Sequence, residues 1–545
     1  MDYNALRIRL PLGIDSFAGL RAHGCIYVDK TDMVCALAAR PMAKIFLARP
    51  RRFGKSLLVS TFASLFEHGL RDFRGLAIEK LWKEEKTYRV IRLDFSKIKT
   101  FQTADQFLFK FKSHLLGAFQ AAGFVYEEEQ QLDFMEQLSL WLQSQPESSL
   151  VLLIDEYDAP LTACLSDPAL FNAVRAVLQP FYSCVKSDNG AWRFVFVTGI
   201  TKFNQTGIFS ELNQFTDISL KEEFATLLGY TTEEIRRDFA DLISCAAQKL
   251  DASEERVLQE IARHYDGYCF DGLSGKPGRV PIRVHTPWSV INFLNDIASG
   301  FENYWIASGG QISLLTRYLQ DHSILRPEEY AKEQELSFAE LSASSDLSAI
   351  NDIVLLTQTG YLTIKRRDGD TLYVGYPNQE VAQSMVSLYT GPLLENRSLA
   401  SVGLGSRALY DDLVRGNLDG LAKKLNGAFL AINYRHYPIA RESVCQSYTQ
   451  MFLIGAGVFA KSEAENALGR SDIEFDAGDL HWVLELKFLK KGDSKERAAA
   501  LLEEAKDQAL SRLYGGEAQG KIIRAGLVFS EDARQFVLWG KAIEN

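Results

Sequence analysis

Apolar runs and their spacing divide this chain into regions. Four short, nearly unbroken apolar runs mark its first third: "AKIFLA" at 43–48, "RVIRLDFS" at 89–96, "SLVLLID" at 149–155 and "RFVFVTGI" at 193–200. Runs of this length, bounded by polar residues, fit strands buried on both faces of a parallel sheet. After the first of them, "SLLVSTFASLFEHG" sets Leu57, Phe62, Leu65 and Phe66 near a helical period and ends on Gly69, a suitable C-cap. From 221 to 300 the pattern is helical, opening with the Thr-Thr-Glu-Glu start of "TTEEIRRDFADLISCAAQKL". Within 301–390 an apolar helical stretch precedes "GYLTIKRR" and "TLYVGYP", two strands joined by Asp-Gly-Asp, which suggests a winged-helix-like module. Residues 391–439 are expected to form a helical linker, and 440–545 a further α/β domain.

Chemistry gathers at the ends of the first and third runs. "ARPRRFGKSLL" follows the first and approaches the phosphate-loop pattern of Gly, four residues, then Gly-Lys-Ser, with Arg49 in place of the first glycine. In a strand–loop–helix context, loop N–H groups and the helix start face phosphate oxygens. The expected nucleotide-binding loop comprises Arg49, Arg52, Phe53, Gly54, Lys55, Ser56 and Leu57. Lys55 would reach the outer phosphates and the Ser56 hydroxyl would bind Mg²⁺. One of Arg49, Arg51 and Arg52 is expected on phosphate. The third run ends in Asp155 and Glu156, at the sheet edge where ligands bind in open α/β folds. Asp155 would hold the magnesium through its water shell, while Glu156 orients and deprotonates the attacking water. Thr198 and Thr201 each suit a sensor of the terminal phosphate, and equally an ordinary turn.

A second constellation lies in "SEAENALGRSDIEFDAGDLHWVLELKFLK" at 462–490. Two strands around "DAGD" form a hairpin bringing Asp472 near Glu485. Positions i and i+2 of a strand share a face, so Glu485 and Lys487 project together. Two acids and a lysine in this arrangement suit metal-dependent phosphodiester cleavage: Asp472 and Glu485 hold Mg²⁺ or Mn²⁺ while Lys487 positions or activates water. In the following helix Leu501, Ala505 and Gln508 share one face, which puts a polar side chain against the sheet. Glu442 in "ARESVCQSYTQMFL" is a further acid upstream, and whether it joins the site or is simply exposed stays open.

Composition narrows the class. The chain has 545 residues, 47% of them hydrophobic, enough for several cores. A net charge of −10 argues against a surface coated with nucleic acid but leaves room for a local basic groove, such as Lys365, Arg366 and Arg367 at the hairpin. Seven scattered cysteines without Cys-x-x-Cys fit a reducing compartment. There is no basic-then-apolar leader, and "MFLIGAGVFA" is shorter than the ~18–20 residues that span a bilayer. A cytoplasmic protein without membrane attachment is expected.

"LPLGIDSFAGLRAHGCIYVDKTDMV", "ARPRRFGKSLL", "LLIDEYDAP" and "VTGITKFNQTGIFSELNQFTDISL" together resemble the bacterial AAA-ATPase-like family, whose members usually continue into a PD-(D/E)XK nuclease domain. The resemblance implies ATP binding at Lys55, Ser56, Asp155 and Glu156, and makes Arg49 a family trait. It also draws attention to Tyr27 and Lys30. At the C-terminus it implies that Glu465 completes the metal shell and that Gln508 and Tyr514 belong to the nuclease site. The expected architecture is α/β: a P-loop ATPase with an ASCE-type parallel sheet over 1–220, a helical lid over 221–300, the winged-helix-like module, the linker, and a restriction-endonuclease-like domain over 440–545. ATP, Mg²⁺ and DNA are the expected ligands, with homo-oligomerisation open. The rival expectation is a nucleotide-operated switch or assembly protein that binds DNA without cutting it.

Overall fold

The computed structural model describes residues 3–542 apart from 130, 166, 203–213, 274–278, 308–326, 343–350, 467–468 and 512–520. It divides into two compact units, one of residues 1–324 with 334–377 and one of 325–333 with 378–545.

The apolar runs of the first unit become strands β1 (Ala43–Ala48), β2 (Arg89–Asp94), β3 (Leu150–Asp155) and β4 (Trp192–Gly199), joined by the short β5 (Thr216–Asp217). All pairings are parallel and the order is β2-β3-β4-β1-β5. Every residue of β3 and β4 is buried, which explains why these strands read as continuous apolar runs without alternation. The strand inserted between β1 and β3 is β4, which comes after both in sequence; β2, between them in sequence, lies at the sheet edge. Helices Ala104–Ala121 and Pro168–Ser187 cover this sheet with Phe107, Phe111, Phe119 and Phe181, all fully buried.

The helical stretch of this unit begins with a complete capping box: Glu234 N donates to Thr231 Oγ1 at 3.2 Å, and Thr231 N donates to Glu234 Oε2 at 2.8 Å. A small pair, β6 (Tyr268–Cys269) and β7 (Arg283–Val284), precedes helix Pro287–Asn295. The expected hairpin is present as β9 (Thr363–Asp368) and β10 (Thr371–Gly375), and β8 (Gln334–Ser337) adds a third antiparallel strand. Residues 301–390 do not stay together, because 325–333 and everything from 378 on belong to the second unit.

That second unit is built on β11 (Lys461–Asn466), β12 (Gly469–Ala477), β13 (Leu480–Leu489), β14 (Lys521–Ser530) and β15 (Gln535–Lys541), in sequential order. β13 and β14 run parallel across helix Lys495–Ser511, while the other pairs are antiparallel. The stretch 391–439 is not a linker. Helices Ser406–Val414 and Leu418–Leu430 bury Leu409, Leu413, Leu421, Leu425 and Phe429 completely, and Phe429 packs on Phe529 and Phe536 at 4.9 and 5.4 Å. Gly403 closes a short turn at φ 89°.

Candidate functional site

In the first unit, β1 feeds the loop into helix Lys55–His68 through Gly54, whose φ of 93° a side chain would resist. The loop borders a cavity of about 560 Å³, within the range of small-ligand sites. Arg51, Arg52, Phe53, Gly54, Lys55, Ser56, Leu57 and Glu156 line it, together with the apolar Ile26, Val28, Leu228, Tyr230, Trp288 and Ile291. Lys55 Nζ donates to the carbonyls of Arg49 and Pro50, each at 3.0 Å. Burial lowers its pKa, against the opposing charges of Asp155, Glu156 and Asp158. Asp155 is buried at the end of β3 and hydrogen-bonded to Ser56; burial raises its pKa and that of Glu156. Glu156 has φ +50°, a left-handed conformation that a non-glycine residue adopts at a cost of about 1 kcal/mol or more. Arg52 shares that conformation at φ +70°. Its guanidinium lies 4.2 Å over the ring of Trp288 on helix Pro287–Asn295.

Two expected nucleotide contacts lie elsewhere. Arg49 is buried and faces away from this cavity, donating to the carbonyls of Ser219 (2.5 Å) and Phe224 (3.2 Å) and stacking 4.0 Å over Phe270. It anchors the loop's first residue, because a buried cation must find carbonyl and aromatic partners. Thr198 is fully buried, and its hydroxyl donates to the Leu47 carbonyl at 2.8 Å. Thr201 donates to Asp158 at 2.7 Å, so neither hydroxyl is among the groups lining the cavity. Asp158 also accepts the amides of Ile200 and Thr201, an organising role that its place in "DEYD" did not reveal. Tyr27 and Lys30 both line the cavity; Lys30 is ion-paired to Glu234, and Tyr27 packs edge-on to Phe17.

The loop is also braced from outside. Phe53 packs edge-on to Tyr268 and Phe270, at 4.8 and 5.3 Å. Tyr268 donates to the Gly360 carbonyl at 3.1 Å, and Pro50 sits where a Gly360 side chain would be, 2.6 Å from its ideal Cβ. The three hairpin cations are engaged within the unit. Arg367 donates to Gly272 and stacks on Phe338, Arg366 lies over Tyr373, and Lys365 donates to Pro377 at 3.4 Å.

In the second unit, the register Ile473↔Leu484 sets Asp472 level with Glu485. Asp472 Oδ2 accepts the Leu486 amide at 2.7 Å, and Gln446 Nε2 donates to the Asp472 carbonyl at 2.8 Å. Glu485 is completely buried, and among the described residues neither carboxyl oxygen makes a hydrogen bond of good geometry. Burial first, then the charge of Asp472, push its pKa up to about 9, with Lys487 opposing. Lys487 donates to Gln508 at 2.8 Å, on the sheet-facing side of the helix beside buried Leu501 and Ala505. Glu442, at the start of helix Glu442–Gly455, feels the charges of Lys487 and Asp472, and burial raises its pKa. The side chain of Glu465 and all of Tyr514 lie outside the described residues. Orphaned carboxyl oxygens beside a second acid suit a hard divalent cation. Among the described residues no three acidic, histidine or cysteine side chains form a closed cage. An acid pair fits Mg²⁺, which keeps several waters and takes substrate oxygens.

A parallel sheet with a lysine-bearing loop and a paired-acid hairpin define an α/β protein with a P-loop-like domain and a restriction-endonuclease-like domain. Residues 11–209 match the family model described as "Predicted AAA-ATPase", and 441–539 match that of the PD-(D/E)XK nuclease superfamily. The chain therefore carries an AAA-ATPase-like domain and a PD-(D/E)XK superfamily domain. It is 28% identical over 97% of its length to an "Uncharacterized protein in vnfD 5'region" from Azotobacter chroococcum mcd 1, covering 98% of that protein. Among the described residues no helix is long and apolar enough to cross a membrane.

Proposed function

We propose that the first unit binds and hydrolyses ATP and that the second cleaves DNA phosphodiester bonds, with the nucleotide state governing DNA binding or cleavage. The observation that carries the nuclease half is Glu485: a fully buried carboxyl group with no well-formed hydrogen bond among the described residues, level with Asp472 and two residues from Lys487. Such a group is costly to keep unless it serves a ligand. A divalent ion bound there supplies Lewis-acid stabilisation of charge on the scissile phosphate. Asp472 and Glu485 would hold that ion. Lys487, oriented by Gln508, orients the attacking water and offsets developing negative charge. In the first unit, the loop N–H groups and Lys55 bind phosphates, Ser56 and Asp155 hold Mg²⁺, and Glu156 takes the proton from water.

The test is incubation of the purified protein with linear, circular and single-stranded DNA, with Mg²⁺ or Mn²⁺, with and without ATP. Wild type should cut at least one substrate, and Asp472→Ala and Lys487→Ala should cut none. Equal cutting by all three excludes this site. Uniform inactivity favours the switch reading. Size-exclusion runs with and without ATP would then reveal nucleotide-linked assembly.

A further inference from the structure

We propose that Arg52 binds the outermost phosphate of the nucleotide and that Trp288 positions it. This rests on the ATP reading of the cavity and favours Arg52 over Arg49, while Arg51 also lines the cavity. Arg49 is excluded because its guanidinium is spent on the Ser219 and Phe224 carbonyls and on Phe270. Arg52 stands out on two independent observations. Its backbone is left-handed, at φ +70°, a conformation glycine adopts without steric cost and arginine does not. Its side chain lies against Trp288, 4.2 Å from the ring centroid, and both residues line the nucleotide cavity with Lys55, Ser56 and Glu156. A strained residue persists where its surroundings over-determine it, and such strain clusters at ligand clamps.

Stacking on Trp288 fixes the guanidinium plane, so its forked donors are pre-organised for a phosphate. The indole is itself held, since Trp288 Nε1 donates to the Tyr304 carbonyl at 3.1 Å. Arg52 lines the same cavity as Lys55 and Glu156, the residues that the ATP reading sets beside the terminal phosphate. Arg52 is thus expected to distinguish a triphosphate from a diphosphate. Trp288 acts through it.

Calorimetry with Mg²⁺-ATP and with Mg²⁺-ADP tests the assignment, on wild type, Arg52→Gly, Arg52→Lys, Trp288→Phe and Trp288→Leu. Arg52→Gly relieves the backbone strain, so its melting temperature should equal or exceed that of wild type. Its ATP affinity should fall at least ~10-fold, as for loss of a charge-assisted contact, while ADP affinity changes less than ~3-fold. Arg52→Lys should fall between the two. Trp288→Phe keeps an aromatic face and should preserve the ATP-to-ADP affinity ratio, whereas Trp288→Leu should lower it. An Arg52→Gly protein that binds ATP as wild type does overturns the proposal, as does equal loss of ATP and ADP. Failure of wild type itself to bind either nucleotide refutes instead the ATP reading beneath it.

Discussion

The Lys487 ammonium donates to the side-chain oxygen of Gln508 at 2.8 Å, joining β13 to the helix that crosses to β14. A flexible lysine is thereby held on the face of the strand that carries Glu485. Lys487→Ala should abolish metal-dependent cleavage, and Gln508→Ala should reduce it about 10–100-fold, the usual loss when a supporting contact is removed. Rates on one DNA substrate, with circular dichroism confirming the fold, check both.

Metal should stabilise the second unit through Asp472 and Glu485. At about a hundredfold excess over the dissociation constant, binding contributes about 2.7 kcal/mol. Thermal unfolding with increasing Mn²⁺ should show a rising midpoint for wild type and a flat one for Asp472→Asn and Glu485→Gln. Glu485→Gln should stay close to wild type without metal near pH 7, because a carboxyl group whose pKa is pushed up to about 9 is already neutral there and glutamine keeps its shape.

Glu156 separates binding from hydrolysis. It is held next to Asp155 in a left-handed conformation, and burial favours its proton-accepting role by raising its pKa. Glu156→Gln should lower the rate of phosphate release by about 10²–10⁴-fold, the span of a lost general base, while ATP still binds. Lys55→Ala should lose binding itself. Unchanged turnover in Glu156→Gln would remove Glu156 from the mechanism.

His481 supplies a pH signature away from the metal ligands. Its Nε2 lies 3.3 Å from Glu474 and its Nδ1 2.7 Å from Asp476, and these contacts, Glu474 first, raise its pKa despite partial burial. The folded pKa exceeds the unfolded one, so the stabilisation is complete below the unfolded value of about 6.5 and is lost as pH rises through the folded value. For a largely buried imidazole whose partner Asp476 is exposed, this amounts to about 0.5 kcal/mol. In urea titrations, the stability gap between wild type and His481→Gln should be wider near about pH 5.5 than near about pH 8.5.

Gly360 tests the bracing of the nucleotide loop. Its φ is +89° and an added Cβ would meet Pro50 Cβ at 2.6 Å. Gly360→Ala should cost about 2 kcal/mol in chemical denaturation, combining backbone strain with displacement of Pro50. ATP affinity should fall with it, since the carbonyls of Arg49 and Pro50 hold Lys55.

What the sequence disclosed follows from what each residue touches. The strands of the first sheet were legible because their burial on both faces writes an apolar run, and Asp155 and Glu156 because they end one. The order of those strands was not legible: nothing local to "RFVFVTGI" says that it inserts between β1 and β3. Arg49 looked like a phosphate contact because its partners, Ser219, Phe224 and Phe270, lie far along the chain. Asp472 and Glu485 were legible through a hairpin, a short-range construction. Glu442 joins their field through packing of its helix, which periodicity alone does not orient. The Gly- and Ser-containing stretch near 400 suggested a tether, whereas the leucines after it write a core.

The chain leaves the first unit, enters the second for residues 325–333, returns for 334–377 and leaves again. No single cut therefore separates the two units intact. The excursion includes the turn Pro327–Ala331, on which pack both helix Gln379–Leu393 and helix Glu442–Gly455, the bearer of Glu442. A C-terminal fragment starting at Asn378 would lack that support, although it contains every candidate nuclease residue. Supplying 325–333 as a separate peptide should restore some of its stability, as in fragment complementation. The second unit is thus completed by a segment from within the first, so synthesis of the first must be nearly finished before the second can close.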